Sequence, residues 1–340
     1  MGSSLKSLNK RLFNTIYVEE AAYGYTITRE MLQKYPDCPV IPIRHYKDVF
    51  NRTNQHYAIQ KQYPSLILAV KGNQFLYKGP AVCQDFGHSG HSAFYYTSFL
   101  LNCIFNCEYC YLQGMYPSAN IVAFVNVEDF KFAMEQAVMK EPVFLAISYD
   151  TDLIGFHNII PYYDYFCDFF ASHSELYVEI RTKSANQTFY QNHTPLENII
   201  IAFTLSPEEV IQKYERHTPA LEMRIKAVQV AIKHGFKVRI CFDPIFIHPE
   251  LDNLYEPFFH YIFTQIDPGS IQDIGYGFFR MSKHFFKRIE KHQINSQLFS
   301  EKYWVDKDVV SYSPELQEKI KSKHFGILTQ YVKETSIVTI

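Results

Sequence analysis

Three cysteines fall in one short run, Cys103-Ile-Phe-Asn-Cys107-Glu-Tyr-Cys110, a C-x3-C-x2-C spacing. Three thiolates so spaced can wrap one face of an iron–sulfur cube and leave its fourth iron without a protein ligand, whereas a closed cluster takes four cysteines. The open iron can be filled by the amino and carboxylate groups of S-adenosylmethionine. Electron transfer from the cluster then cleaves the sulfonium C–S bond and gives a 5′-deoxyadenosyl radical. The alternatives are a zinc knuckle or ordinary buried cysteines. Zinc asks for a fourth ligand, and the nearest candidates, His88, His91 and Glu108, complete no familiar pattern. The chain has seven cysteines, an odd number with one tight cluster, which reads as metal binding before disulfides. The expected centre is one [4Fe–4S] cluster on Cys103, Cys107 and Cys110, with S-adenosylmethionine as cofactor.

The elements that must hold this loop read as a β/α series. Apolar runs of strand length lie at 93–101, 143–148, 176–181, 199–205, 237–247 and 271–279. Helical patterns follow at 127–140, 159–172, 207–215, 219–234, 253–265 and 282–292. The helix over 219–234 is punctuated by Thr218 as cap, Pro219 in the first turn and Lys233-His234-Gly235 at its end. Alternating units imply a parallel sheet covered by helices, as an open doubly wound sheet or a partial barrel. In both, chemistry belongs at the C-terminal ends of the strands. Residues 1–90 read as an irregular extension broken by Pro36, Pro39, Pro42 and Pro64, with one short strand at 65–70. Residues 91–292 read as the barrel and 293–340 as an appendage or lid.

Around and beyond the cysteines the sequence resembles the spore photoproduct lyase family of radical S-adenosylmethionine enzymes. The resemblance rests on Cys107-Glu-Tyr-Cys-Tyr-Leu-Gln113, Val125-Asn-Val-Glu-Asp129 and Ser148-Tyr-Asp-Thr-Asp-Leu-Ile-Gly155. Arg181-Thr-Lys183, Phe203-Thr204, Arg224-Ile-Lys-Ala227 and Asp243-Pro-Ile-Phe-Ile-His248 extend it. It implies an α/β fold, a partial (β/α)6 barrel with N-terminal and C-terminal extensions. It implies that Thr151, Lys183 and Thr204 contact S-adenosylmethionine, with Asp152 as a fourth polar contact and Tyr109 near the adenine. The implied activity is reversal of a thymine–thymine adduct in ultraviolet-damaged DNA. The radical removes a hydrogen from C6 of the lesion, the methylene bridge breaks, and the thymine radical takes a hydrogen atom back. The implied partners are damaged DNA and a reducing electron donor such as flavodoxin or ferredoxin.

Two departures from the family stand out. The family's hydrogen donor is a cysteine just after the second strand, and Tyr149 holds that position here. A phenol can donate a hydrogen atom, and Tyr111 matches a tyrosine near the family's return path, so a Tyr149–Tyr111 route is expected. Cys241 is a second donor candidate, because Arg239, Cys241 and Asp243 share one face of the fifth strand; its other reading is a buried apolar cysteine. Cys167 reads as core. The family's Gly-rich, basic and aromatic hairpin is matched by residues 301–312, which hold no Gly and two Asp. Tyr303 and Trp304 read there either as a stacking platform or as packing. These departures leave open another substrate on the same scaffold; a separate alternative is a binding or electron-transfer protein whose cluster never cleaves the cofactor.

Charge is balanced, with 33 Lys+Arg against 35 Asp+Glu. That argues against a protein coated for non-specific nucleic-acid binding but not against a local basic groove. Lys283, Lys287 and Lys291 fall at i, i+4 spacing, which suits a row of phosphates. Arg224, Lys226, Lys233, Lys237 and Arg239 form a second basic region. The N-terminus lacks a secretory apolar core, and no apolar run reaches the ~18–20 residues of a membrane span, so no membrane partner and a cytoplasmic location are expected.

Overall fold

The computed structural model describes residues 12–79, 93–251, 253–293 and 295–339. Two compact units are distinguished: the described residues up to Gly72 with Tyr116–Asn126, and Asn73–Met115 with Val127 onward.

The first unit corrects the reading of its segment as irregular. Beside the expected strand, Leu66–Ala69, it forms Ile16–Glu19, Val40–Ile43 and Ile121–Phe124. They pair in parallel in the order 40–43, 16–19, 66–69, 121–124. Pro42 hid its strand from the sequence reading. It lies on the outer strand of the sheet, the place in a sheet where proline is tolerated.

The second unit carries six parallel strands: β1 (Ala93–Tyr96), β2 (Val143–Ala146), β3 (Leu176–Thr182), β4 (Ile199–Thr204), β5 (Lys237–Ile245) and β6 (Asp273–Phe278). They lie side by side in chain order. All residues of β4 and β6 are buried, as expected for parallel strands covered on both faces. The intervening helices match the expected positions, from Val127–Val138 to Lys283–Glu290. The architecture is thus the expected partial (β/α)6 barrel, curled and open. Tyr77–Lys78 pairs antiparallel with β1 at one side, and Ile337–Thr339 pairs parallel with β6 at the other.

Two local features differ from expectation. A short helix, Gln187–Asn192, follows β3 and is capped by Asn186. The helix expected at 219–234 spans Leu221–Lys233 without a side-chain cap. Thr218 instead donates to the Glu215 carbonyl (2.7 Å) and accepts from Arg224 (2.7 Å). Its C-terminal end is as expected, with Gly235 at φ +84°, a conformation that glycine adopts without strain.

Beyond the barrel, Pro314–Leu328 packs on Tyr255–Gln265. Buried His324 lies against Tyr255 and Phe259 and hydrogen-bonds the Tyr276 hydroxyl (2.8 Å). Burial pulls its imidazole down to about 4. Among the described residues no helix is long and apolar enough to cross a membrane.

Candidate active site

The cysteine loop leaves β1 and is fixed from two sides. Asn106–Cys107 pairs antiparallel with Glu215–Arg216, and the Glu108 N–H donates to the Tyr214 carbonyl (2.7 Å). Gln113 Nε2 donates to the Cys107 carbonyl (2.7 Å). The buried Glu108 carboxylate is taken by Arg216 and by Ser296 Oγ (2.7 Å), which removes it from the possible zinc ligands. His88, His91 and Cys83 lie outside the described residues. Cys103 and Cys110 are half-buried and Cys107 is buried; none is disulfide-bonded. Burial pushes the Cys107 thiol up, against the pull of Lys183. A thiol so placed becomes a thiolate when a metal supplies the compensating charge.

The loop opens onto a cavity of about 200 Å³. Its wall gathers the three cysteines with Tyr109, Tyr111, Tyr149, Thr151, Asp152, Lys183 and Thr204, so the residues expected to hold the cluster and S-adenosylmethionine meet there with both tyrosines of the expected return route. The non-cysteine members come from the cysteine loop and the C-terminal ends of β2, β3 and β4, the end of a parallel sheet where ligands are met.

The side chains differ in how they are held. Thr151 Oγ is buried without a hydrogen-bond partner. Both oxygens of Asp152 are engaged by its own chain. Oδ1 accepts from the Gly155 N–H (2.8 Å) and Thr182 Oγ (2.8 Å), and Oδ2 accepts from the Lys183 N–H (2.7 Å). Burial raises the Asp152 carboxyl, and these donors oppose the rise. Asp152 therefore caps the helix Leu153–Phe156 and ties the end of β2 to the end of β3. Lys183 Nζ stands 5.5 Å from the Tyr109 ring centroid. Burial lowers its ammonium, but Glu215 and Cys107 outweigh burial and leave it raised. Tyr109 donates its hydroxyl to Glu215, which Arg224 grips at 2.5 Å. Burial acts to raise the Glu215 carboxyl, and Arg224, Lys183 and Tyr109 together hold it below its ordinary range.

Tyr111 and Tyr149 meet, but not phenol to phenol. The Tyr111 hydroxyl donates to the Tyr149 carbonyl (2.6 Å) and to Asp150 (3.2 Å), and the ring centroids are 6.0 Å apart. Tyr149 stacks on Tyr96 at 4.2 Å, and Tyr96 stacks on Tyr77 at 5.1 Å. Burial, then the neighbouring Tyr149 and Asp150, push the Tyr96 phenol up to about 12. Nothing local in the sequence announces this tyrosine row.

Below the cavity, the β5 face expected to turn inward carries two ion-pair bridges, one around the fully buried Arg239 and one reaching the exposed Arg280. Arg239 bridges Glu179 (2.7 Å) and Asp273 (2.5 Å). Asp243 bridges Arg181 (2.9 Å) and Arg280 (3.1 Å). Gly277 makes room for the second bridge, since a Cβ there would stand 2.8 Å from Asp243 Oδ1. Cys241 lies between Arg239 and Asp243 in sequence, fully buried, and its thiol is pushed up to about 12 by burial. It does not line the cavity. Cys167 is half-buried rather than core, with its thiol donating to the Asp164 carbonyl (3.4 Å).

The second basic region is divided between core and surface, with Lys226 and Lys233 exposed. Arg224 and Arg239 are 0% exposed, while Lys226 and Lys237 pair with Glu222 and Glu197. The helix Lys283–Glu290 does expose Lys283, Lys287 and the following Lys291. It packs on Leu112–Met115, directly after the cysteine loop, where a Cβ on Gly114 would come within 2.6 Å of the Phe285 backbone. The segment 301–312 forms a hairpin without glycine, Trp304–Asp306 against Val309–Ser311, turning at Lys307 with φ +52°. Tyr303 is packing: its hydroxyl donates to the Leu298 carbonyl (2.8 Å) and its ring meets Phe279, Phe286 and Tyr312. Trp304 is 53% exposed.

Comparison with known proteins agrees with this geometry. Residues 12–335 match the family model described as spore photoproduct lyase. Spore photoproduct lyase of Bacillus subtilis (strain 168) is 24% identical over 308 residues, covering 87% of this chain and 85% of that one. The Geobacillus sp. (strain Y412MC61) protein of the same name is 21% identical, covering 87% and 86%. A solved spore photoproduct lyase complexed with dinucleoside spore photoproduct superimposes with a TM-score of 0.81 at 16% identity, over 96% of this chain and 98% of that one. A variant with bound AdoMet and the same dinucleoside gives the same TM-score and coverage. With a family model spanning nearly its whole length, this chain belongs to the spore photoproduct lyase family.

Proposed function

We propose that this lyase reverses the spore photoproduct in DNA by radical chemistry, with a [4Fe–4S] cluster on Cys103, Cys107 and Cys110 and S-adenosylmethionine beside it. The observation that carries this reading is one cavity at the strand ends that joins three cysteines to the buried, unpartnered hydroxyl of Thr151. An orphaned buried hydroxyl is costly unless a ligand completes it. The donor set fits the group: three soft thiols for iron, a cation on Lys183 for a carboxylate, and the Tyr109 ring for an adenine. When bound and reduced, the cluster and S-adenosylmethionine supply a 5′-deoxyadenosyl radical able to take the C6 hydrogen of the lesion.

The chain's own residues do the rest. Thr151, Lys183 and Thr204 bind the cofactor, and Asp152 acts through them by fixing the ends of β2 and β3. Once the methylene bridge breaks, the carbon radical left on one thymine needs a hydrogen atom. Tyr149 gives it from its phenol O–H, becoming a tyrosyl radical, and Tyr111 is the next donor in the route. Trp304 on the hairpin and the lysine row of 283–291 meet the lesion and its phosphates, a contact with deformed backbone more than with base sequence. A low-potential donor of the flavodoxin or ferredoxin kind reduces the cluster, and the setting is the cytoplasm. Tyr149, where the family has cysteine, favours a second reading: the same radical chemistry on a different substrate.

The test is anaerobic incubation of reduced, cluster-loaded protein with S-adenosylmethionine and synthetic dinucleoside spore photoproduct, followed by mass spectrometry. Lesion-dependent thymine recovery supports repair. If 5′-deoxyadenosine forms and the lesion survives, the second reading takes its place. If neither product forms with an intact cluster, both readings fail.

A further inference from the structure

Two short helices leave the cavity mouth, and each ends on a histidine. Leu153–Phe156 starts at Asp152 and has His157 at its C-terminal cap. Gln187–Asn192 starts at Asn186, just past Lys183, and has His193 at its C-terminal cap. Asp164, on the helix Tyr162–Ala171, stands between them. One ligand atom from each of the three residues lies within 4.8 Å of the other two. His193 Nε2 is 2.9 Å and His157 Nε2 is 3.9 Å from the same oxygen, Asp164 Oδ1. None of the three lines the cavity.

The hydrogen bonding of His193 fixes which ring nitrogen faces Asp164. Its Nδ1 lies 2.7 Å from the Phe189 carbonyl. A carbonyl only accepts, so Nδ1 carries the hydrogen. In the neutral ring, Nε2 then presents a lone pair to a carboxylate oxygen 2.9 Å away, and two acceptors face each other. That arrangement needs a positive centre between them, a second proton or a metal ion. Histidines that bind metal have this same outer bond, the far N–H given to a backbone carbonyl, which fixes ring and tautomer. Both imidazoles are mostly shielded, at 14% and 16% side-chain exposure, while the Asp164 side chain is 47% exposed and leaves a side open to water. A zinc ion about 2.0–2.1 Å from each ligand needs ligand atoms roughly 3.3 Å apart in a tetrahedron. Toward that spacing His193 would open from 2.9 Å and His157 would close from 3.9 Å against Asp164 Oδ1, with all three ligand atoms drawing in from within 4.8 Å of one another.

We infer that His157, Asp164 and His193 form a binding site for a divalent cation of the zinc class, with two imidazole nitrogens, one carboxylate oxygen and water. Imidazole ligands favour zinc and its late first-row neighbours over magnesium or calcium. The ion would clamp together the segments that carry Thr151–Asp152 and Lys183, and so act as a positioning element rather than in the reaction.

The test uses the full chain, iron-loaded under anaerobic conditions, dialysed against buffered zinc, with zinc and iron counted per chain. One zinc is expected at unchanged iron, and binding is expected to weaken at least tenfold in Asp164→Asn and in His193→Gln. Asp164→Asn alters an exposed side chain, and its melting temperature without metal checks that it folds. Cobalt identifies the ligands. This site gives weak visible bands without the strong thiolate-to-cobalt absorption that the three cysteines would give. Zinc retained equally by both variants, zinc gained only as iron is lost, or cobalt bound only with thiolate absorption would each overturn the assignment.

Discussion

A buried hydroxyl without a hydrogen-bond partner costs about 1–3 kcal/mol, and Thr151 carries one at the cavity wall. Stability and cofactor binding should therefore separate at this residue. Thr151→Val is expected to leave the unfolding free energy unchanged or up to about 1 kcal/mol higher. It is expected to weaken S-adenosylmethionine binding about five- to tenfold, the worth of one hydrogen bond. Urea unfolding and equilibrium dialysis measure the two; a parallel loss in both would make the hydroxyl structural. At Tyr149 the phenol is the tested group: Tyr149→Phe is expected to cut thymine recovery at least tenfold while 5′-deoxyadenosine still forms. Unchanged turnover and products would end the Tyr149–Tyr111 route. The cysteines were legible in the sequence because their spacing is local. The strand-end residues became legible through resemblance to a family. The Tyr149–Tyr96 stack, the Glu179–Arg239–Asp273 bridge and the two histidines beside Asp164 were not, because each joins residues that only the folded sheet brings together.

At the level of elements, the helix Lys283–Glu290 connects two roles. One face packs through Phe285 on Gly114, and the other exposes Lys283 and Lys287. Replacing Lys283, Lys287 and Lys291 with Ala is expected to lower the salt dependence of binding to irradiated duplex DNA. Each phosphate contact contributes about 0.9 to the log–log slope, so the loss is up to about 3. Lys287 contributes least, since it also pairs with Glu290 at 2.9 Å. Fluorescence anisotropy across a salt series reads the slope; an unchanged slope would remove this helix from the interface. Periodicity made the barrel legible because parallel strands buried on both faces are continuous apolar runs. It failed for Val40–Ile43, exposed along most of its length and carrying a proline, and for Gln187–Asn192, too short to show a helical period. It also failed for Arg224 and Arg239, because a basic residue looks the same in sequence whether it is solvated or clamped between buried carboxylates.

Over the whole molecule, acid should act through His324 before most other groups. Its folded-state value of about 4 lies below the ordinary 6.5 because of burial, so the unfolded chain binds this proton more readily. The resulting stability is full above pH 6.5 and is lost as pH falls toward 4. Near pH 5 the loss is about 2 kcal/mol. His324→Gln is expected to flatten the slope of urea-unfolding stability between pH 7 and 5; a slope equal to wild type would place the acid response elsewhere.

The pairing of Ile337–Thr339 with β6 has a consequence for how this molecule behaves among its own copies. A parallel half-barrel that never closes leaves the backbone of its last strand open to recruitment by any other extended chain. Three residues from far along the sequence occupy Ile274, Gly275 and Tyr276 in register. Ending the chain at Ser336 should uncover that row, and light scattering at rising concentration is expected to report self-association where the full chain stays dispersed. The terminal strand would then be a guard against aggregation more than a source of stability.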